Sequence, residues 1–189
     1  MGASLRLPRS RGQTARRRRH GRQGPLKDVV DIVTLAPIRI ARTKSTENRL
    51  GKFQRGVGYK YTKSIYAQDW FDSGPERDLA NILNATKEIA YWIRLQQNDL
   101  PILWHGSGRE YNPDFIAIED DDTHWIIEVK KDNEMTSADV QGKREAAIRW
   151  VQHVNTDEKV TETWRYLLLS ETNVKTAKGS WTALKGFGE

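Results

Sequence analysis

Apolar and polar residues recur with different periods in successive stretches of this chain, and each change of period marks an element. The clearest start signal is Asp72-Ser73-Gly74-Pro75-Glu76. Ser73 can cap a helix, Pro75 suits its first turn, and Glu76 stands three residues beyond the cap. Leu79, Ile82, Leu83, Ile89, Ala90 and Ile93 follow at helical spacing, which predicts a single helix of about five to six turns ending near Asn98, before Pro101. Residues 113–119 and 124–130 read as two strands joined by the turn formers Asp120, Asp121, Asp122 and Thr123, a β-hairpin. Thr136 or Ser137 opens a second helix with Val140, Ala147, Ile148, Val151 and Val154 on its apolar side. The run from Trp164 to Ser170 suits a buried strand, and a short helix can follow Glu171. Upstream, the apolar stretch from Asp28 to Ile40, broken by Pro37, suits one or two short edge strands, and Val57 to Tyr66 suits a strand leading into Trp70 and Phe71.

The hairpin carries the candidate chemistry. With residues 120–123 as its turn, 119 faces 124 and Asp114 falls opposite about Val129, beside Glu128 and Lys130. Alternation along the strand puts Glu128 and Lys130 on one face with Ile126, and Trp125, Ile127 and Val129 on the other. Two carboxylates and an ammonium then gather at the end of an apolar hairpin. A hard divalent cation such as Mg²⁺ takes oxygen ligands and keeps several waters, so Asp114, Glu128 and the Val129 carbonyl suit an incomplete shell. A metal so held activates water toward a phosphoryl centre, with Lys130 orienting that water or offsetting the charge that develops. Taken alone, Glu128 and Lys130 equally suit an exposed strand face with a surface ion pair, and Glu76 equally suits a capping box with Ser73.

Composition narrows the partners. The 189 residues include no cysteine, which removes disulfides, zinc-thiolate centres and thiol nucleophiles together. No apolar run approaches a membrane span and the basic N-terminus lacks the apolar segment of a secretory signal, so a cytoplasmic protein without membrane contact is expected. The net charge of +6 is unevenly placed: residues 1–30 carry nine basic side chains against one acid, leaving the other 159 residues at −2. Residues 1–26 are rich in Arg, Gly, Ser and Pro and are expected to be a disordered basic arm. Its run Arg16, Arg17, Arg18 and Arg19 suits either a phosphate-tracking segment or a solvated tail. His105, His124 and His153 lack metal-ligand spacing, the acidic turn lacks the glycine of a calcium loop, and Trp92, Trp125, Trp150 and Trp164 sit in packing patterns.

Beyond these readings, Asn112-Pro113-Asp114-Phe115 followed by Ile126-Ile127-Glu128-Val129-Lys130 resembles the PD-(D/E)xK nuclease motif. The ordered set is wider. Phe71-Asp72-Ser73 with Glu76, these two motifs, and then Lys143 with Ala146, Ala147, Trp150, Val151 and Asn155 resemble the C-terminal endonuclease domain of the Res subunit of type III restriction-modification enzymes and related DEAD/DEAH-box helicases. The resemblance covers roughly residues 57–185 of a domain spanning 27–189. It implies an α/β, restriction-endonuclease-like fold with a mixed central sheet flanked by helices. It implies metal binding at Asp114 and Glu128 with Glu76 as an additional acid, catalysis by Lys130, and approach of Lys143 to DNA phosphate. The implied activity is Mg²⁺-dependent cleavage of double-stranded DNA. The implied partners are a helicase or translocase segment, through which alone ATP would enter, and a modification subunit. The chain contains no G-x-x-x-x-G-K-[ST] phosphate loop of its own. A catalytically silent DNA-binding or assembly module, or a gene fragment without its motor, is the competing expectation.

Overall fold

A computed structural model describes residues 45–46, 48–105 and 108–188. The Arg16–Arg19 run and the strands expected within 28–40 lie outside the described residues. In chain order, three short strands, β1 (Ser45–Thr46), β2 (Gly58–Lys60) and β3 (Gln68–Asp69), form a small sheet. Helix α1 (Gly74–Ala85) leads into β4 (Ile89–Arg94), and β5 (Ile102–His105) pairs with β6 (Arg109–Tyr111) as a separate hairpin. Strands β7 (Phe115–Glu119) and β8 (Thr123–Lys130) are followed by α2 (Ala138–Asn155), β9 (Thr163–Ser170), α3 (Glu171–Thr176) and α4 (Trp181–Lys185).

The central sheet has the order β4-β7-β8-β9, antiparallel across its first two pairs and parallel between β8 and β9. A parallel return needs a crossover, and α2 supplies it. One sheet face, bearing Trp125, Ile127, Val129, Leu167 and Leu169, packs with Leu79 and Leu83 of α1, Val174 of α3 and Trp181 of α4. The opposite face, bearing Ile116, Ile126 and Trp164, packs with Ala146, Ala147, Val151 and Val154 of α2. The chain is therefore mixed α/β, with a mixed sheet between helices. Among the described residues no helix is long and apolar enough to cross a membrane.

Three expectations are corrected. The first helix begins as expected, with Ser73 Oγ accepting from the Glu76 N–H at 3.3 Å, but it stops at Ala85 and does not run on to Asn98. Thr86 adopts an extended conformation while its N–H and Oγ both bond to the Ile82 carbonyl, closing the last turn. From Ile89 the sequence IAYWIR is rich in β-branched and aromatic residues, and pairing with β7 outweighs the helical spacing that Ile89, Ala90 and Ile93 fit by coincidence. Within Val57–Tyr66 only Gly58–Lys60 is strand, because Asn84 Oδ1 takes the N–H groups of Thr62 and Lys63 and turns the segment aside.

The third correction concerns hairpin register. Ile118 faces His124 and Phe115 faces Ile127, one residue short of the expected pairing. Asp122 occupies the left-handed region at φ 67°, so the turn closes one residue earlier and Thr123 joins the strand. The paired register ends at Phe115 and Ile127; Asp114, one residue beyond it, donates its N–H to the Ile127 carbonyl, which breaks the regular ladder at this point.

Candidate functional site

Asp114 is pinned by its backbone before its side chain does anything. Its carbonyl accepts from the Leu95 N–H at 2.9 Å and its N–H donates to the Ile127 carbonyl at 3.2 Å, fastening it between β4 and β8. Its Oδ2 then accepts the Val129 N–H at 2.7 Å. Glu128, on β8, is buried, with 4% of its side chain exposed. Lys130 lies two residues on, on the same face, with Nζ 2.5 Å from Glu128 Oε1 and 3.7 Å from Asp114 Oδ2. The three residues grouped by sequence are brought together in space.

The electrostatics are those of two acids sharing one cation. Burial raises the pKa of Glu128 and the neighbouring Asp114 charge raises it further, while Lys130 opposes both. Asp114 is also raised, chiefly by burial, with Lys130 and the Val129 N–H acting against it and Glu76 adding to it. Burial works against the charge on Lys130, but Asp114 and Glu128 outweigh it and its pKa rises. Among the described residues, buried Glu128 Oε2 has no hydrogen-bond partner. A buried carboxylate oxygen without a donor is costly, and a hard cation is a natural partner for it. The donor set therefore fits Mg²⁺ at Asp114 and Glu128, with one amine close enough to share the charge.

Glu76 lies near enough to influence both Asp114 and Lys130 electrostatically. Its own oxygens are engaged. Oε1 accepts from Ser73 Oγ at 2.8 Å, and Oε2 accepts from the Asp72 N–H at 3.3 Å and from Arg94 at 3.2 Å. Half of the expected capping box forms: Ser73 Oγ accepts the Glu76 N–H, but the Glu76 side chain takes the N–H of Asp72 and not that of Ser73. Among the described residues no three His, Cys, Asp or Glu side chains gather as a metal cage, which leaves Asp114 and Glu128 as a two-carboxylate pair. Lys143 on α2 sits with Nζ 5.4 Å from the Trp104 ring centre and 5.7 Å from that of Tyr111, and its charge reaches Glu128.

Sequence reasoning missed Arg94, Tyr111 and Tyr166. Arg94 is buried at the end of β4, over the Phe71 ring, and joins Asp72 (2.7 Å) to Glu76. Reading 75–98 as one helix hid it; an arginine closing an apolar strand is the signal that could have found it. Burial, then the Glu128 charge, raises the pKa of both phenols, which places Tyr111 and Tyr166 in the field of the acids. Nothing in their local sequence marks them. Comparison of the chain with protein families, with characterised proteins and with solved structures finds no match.

Proposed function

We propose that the protein is the nuclease part of a type III restriction-like helicase-nuclease, with a restriction-endonuclease-like fold, hydrolysing DNA phosphodiester bonds with Mg²⁺. The observation that carries this reading is the convergence of Asp114, Glu128 and Lys130 on one sheet face around an unpartnered, buried carboxylate oxygen. The order α1-β4-β7-β8-α2-β9 and the PD-(D/E)xK-like residues support it. Asp114 and Glu128 would hold the metal, which when bound supplies Lewis acidity and an activated water. Asp114 is preorganised for this by the Val129 N–H and its two backbone anchors. Lys130 limits repulsion between the two acids and offers a proton donor or a positive charge toward a phosphate oxygen. Arg94 and the capped Glu76 hold the start of α1 at the same end of the sheet.

The test is cleavage of plasmid and linear DNA with Mg²⁺, with and without a helicase segment. Asp114→Ala, Glu128→Ala and Lys130→Ala are each expected to lower the rate by at least about 100-fold, the scale of losing one transition-state donor. Wild-type protein inert under every such condition would sink the reading. A silent DNA-binding or assembly module is the alternative, favoured by one observation: both oxygens of Glu76 are already engaged. DNA binding without cleavage, unchanged by the three substitutions, would support it.

A further inference from the structure

β9 is an edge strand of the central sheet, and a groove of about 480 Å³ crosses its open side between α2 and the residues after α4. Among the described residues, the lining of this groove includes Arg144, Arg165 and Lys185 and no Asp or Glu. Lys185 is partly neutralised from behind by Glu119, at 2.6 Å. Arg144 and Arg165 are exposed and form no ion pair among the described residues; Arg165 lies with its guanidinium 5.6 Å from the Trp125 ring centre. Phe187 also lines the groove with 41% of its surface exposed, in a molecule that buries most of its large apolar side chains. A phenyl ring left in water beside two free cations is the pairing used to bind single strands, bases stacking on the ring while phosphates meet the cations. The groove volume falls in the range of roughly 300–1,000 Å³ that encloses one small ligand. That suits one or two nucleotides and not the girth of a duplex.

The groove also leads to the acids. Leu168, on its floor, is the register partner of Glu128 on the neighbouring strand, and Tyr166 beside it is the partner of Ile126. Adjacent strands lie about 4.8 Å apart, so the lining begins one strand spacing from the Glu128 backbone.

We infer that this groove seats a single nucleic-acid strand, its phosphates on Arg144 and Arg165 and a base on Phe187, and feeds it toward Asp114 and Glu128. The inference rests on the nuclease reading for where the strand goes, but binding can be measured apart from cleavage. The experiment is fluorescence anisotropy of a labelled single-stranded oligonucleotide, and of the matching duplex, with the full-length protein in EDTA across a salt series. Arg16, Arg17, Arg18 and Arg19 are replaced by Gln throughout, so that the arm does not mask the groove.

The single strand is expected to bind more tightly than the duplex. Phe187→Ala should weaken it roughly tenfold and Phe187→Tyr should not, as expected for a stacking platform. Arg144→Ala with Arg165→Ala should reduce the slope of log affinity against log salt by about 1.4, at about 0.7 per phosphate contact on a single strand. Duplex preference, or affinity and slope unchanged in these variants, overturns the inference and leaves the nuclease reading standing. Groove binding that behaves as expected in a protein that never cleaves would sink only the nuclease reading.

Discussion

Two acids that share one lysine, Glu128 buried and Asp114 partly so, set opposing demands on stability and function. The raised pKa values of Asp114 and Glu128 mean that the folded, metal-free protein holds more protons than the unfolded chain above the ordinary glutamate value of 4.5. Their contribution therefore favours folding at low pH and is lost as pH rises through the raised values. Glu128→Gln is expected to flatten that decline and to raise the alkaline Tm of the metal-free protein while abolishing cleavage. A lower Tm at pH 8 than wild type would refute the account. On the proposed reading, adding Mg²⁺ should restore the wild type at alkaline pH, since a metal would bind the deprotonated acids, and should not restore the Gln variant. His124 pulls the other way. It is fully buried, with Nδ1 2.8 Å from the Asp122 carbonyl, Nε2 unpartnered and its ring 4.8 Å from that of Trp164. Burial lowers its pKa, so the fold loses stability as pH falls below the ordinary 6.5, when the unfolded imidazole takes a proton that the folded one refuses. His124→Gln should flatten that acid limb in a melting series from pH 5 to 7, and an unchanged slope would count against it.

At the scale of elements, the start of α1 and the hairpin turn do most to position the site. Ser73 caps α1 and also donates to Glu76, which in turn receives Arg94 from β4. Ser73→Ala should cost about 1 kcal/mol in denaturant unfolding, the usual value of an N-cap. It should also loosen the Glu76–Arg94 contact, so that Arg94→Ala in that background costs less than in wild type, and strict additivity would speak against the coupling. The hairpin turn has a different role, since its length sets the register of β7 on β8, at whose end Asp114 sits. A residue inserted between Asp120 and Asp122 is expected to remove cleavage while leaving far-ultraviolet circular dichroism near that of wild type. Retained activity would show that the pairing does not control the site.

For the whole molecule, one carboxylate links α4 to two strands of the sheet, in addition to the apolar packing of α3 and α4. Glu119 accepts from Trp125 Nε1 at 2.7 Å, Trp181 Nε1 at 2.8 Å and Lys185 Nζ at 2.6 Å, joining β7, β8 and α4. Burial opposes its charge, but Lys185 and the two indoles outweigh it and hold its pKa below the usual range. Glu119→Ala strands two indole donors and a lysine at once, and a loss of roughly 3 kcal/mol in unfolding free energy is expected, the lower end for breaking a buried pair. A loss within about 0.5 kcal/mol, the size of an ordinary surface change, would show the tie to be incidental.

The elements from residue 113 onward were legible in the sequence because their signals are local. A β-rich run at 124–130 behind an acidic turn, a polar cap at Ser137 and the apolar run to Ser170 each leave little choice of conformation. The same holds for the grouping of Asp114, Glu128 and Lys130, since one hairpin contains them all. Tertiary structure decided the rest. Only pairing with β7 turns 89–94 from helix to strand, because short apolar runs satisfy either period until a partner is present. Only the left-handed Asp122 fixes the register of β7 on β8, since a slip of one reverses every side chain. The roles of Tyr166 and Phe187 arise from neighbours far away in sequence, and no local pattern records them; Arg94 closes an apolar strand, a signal that shows only once 89–94 is read as strand.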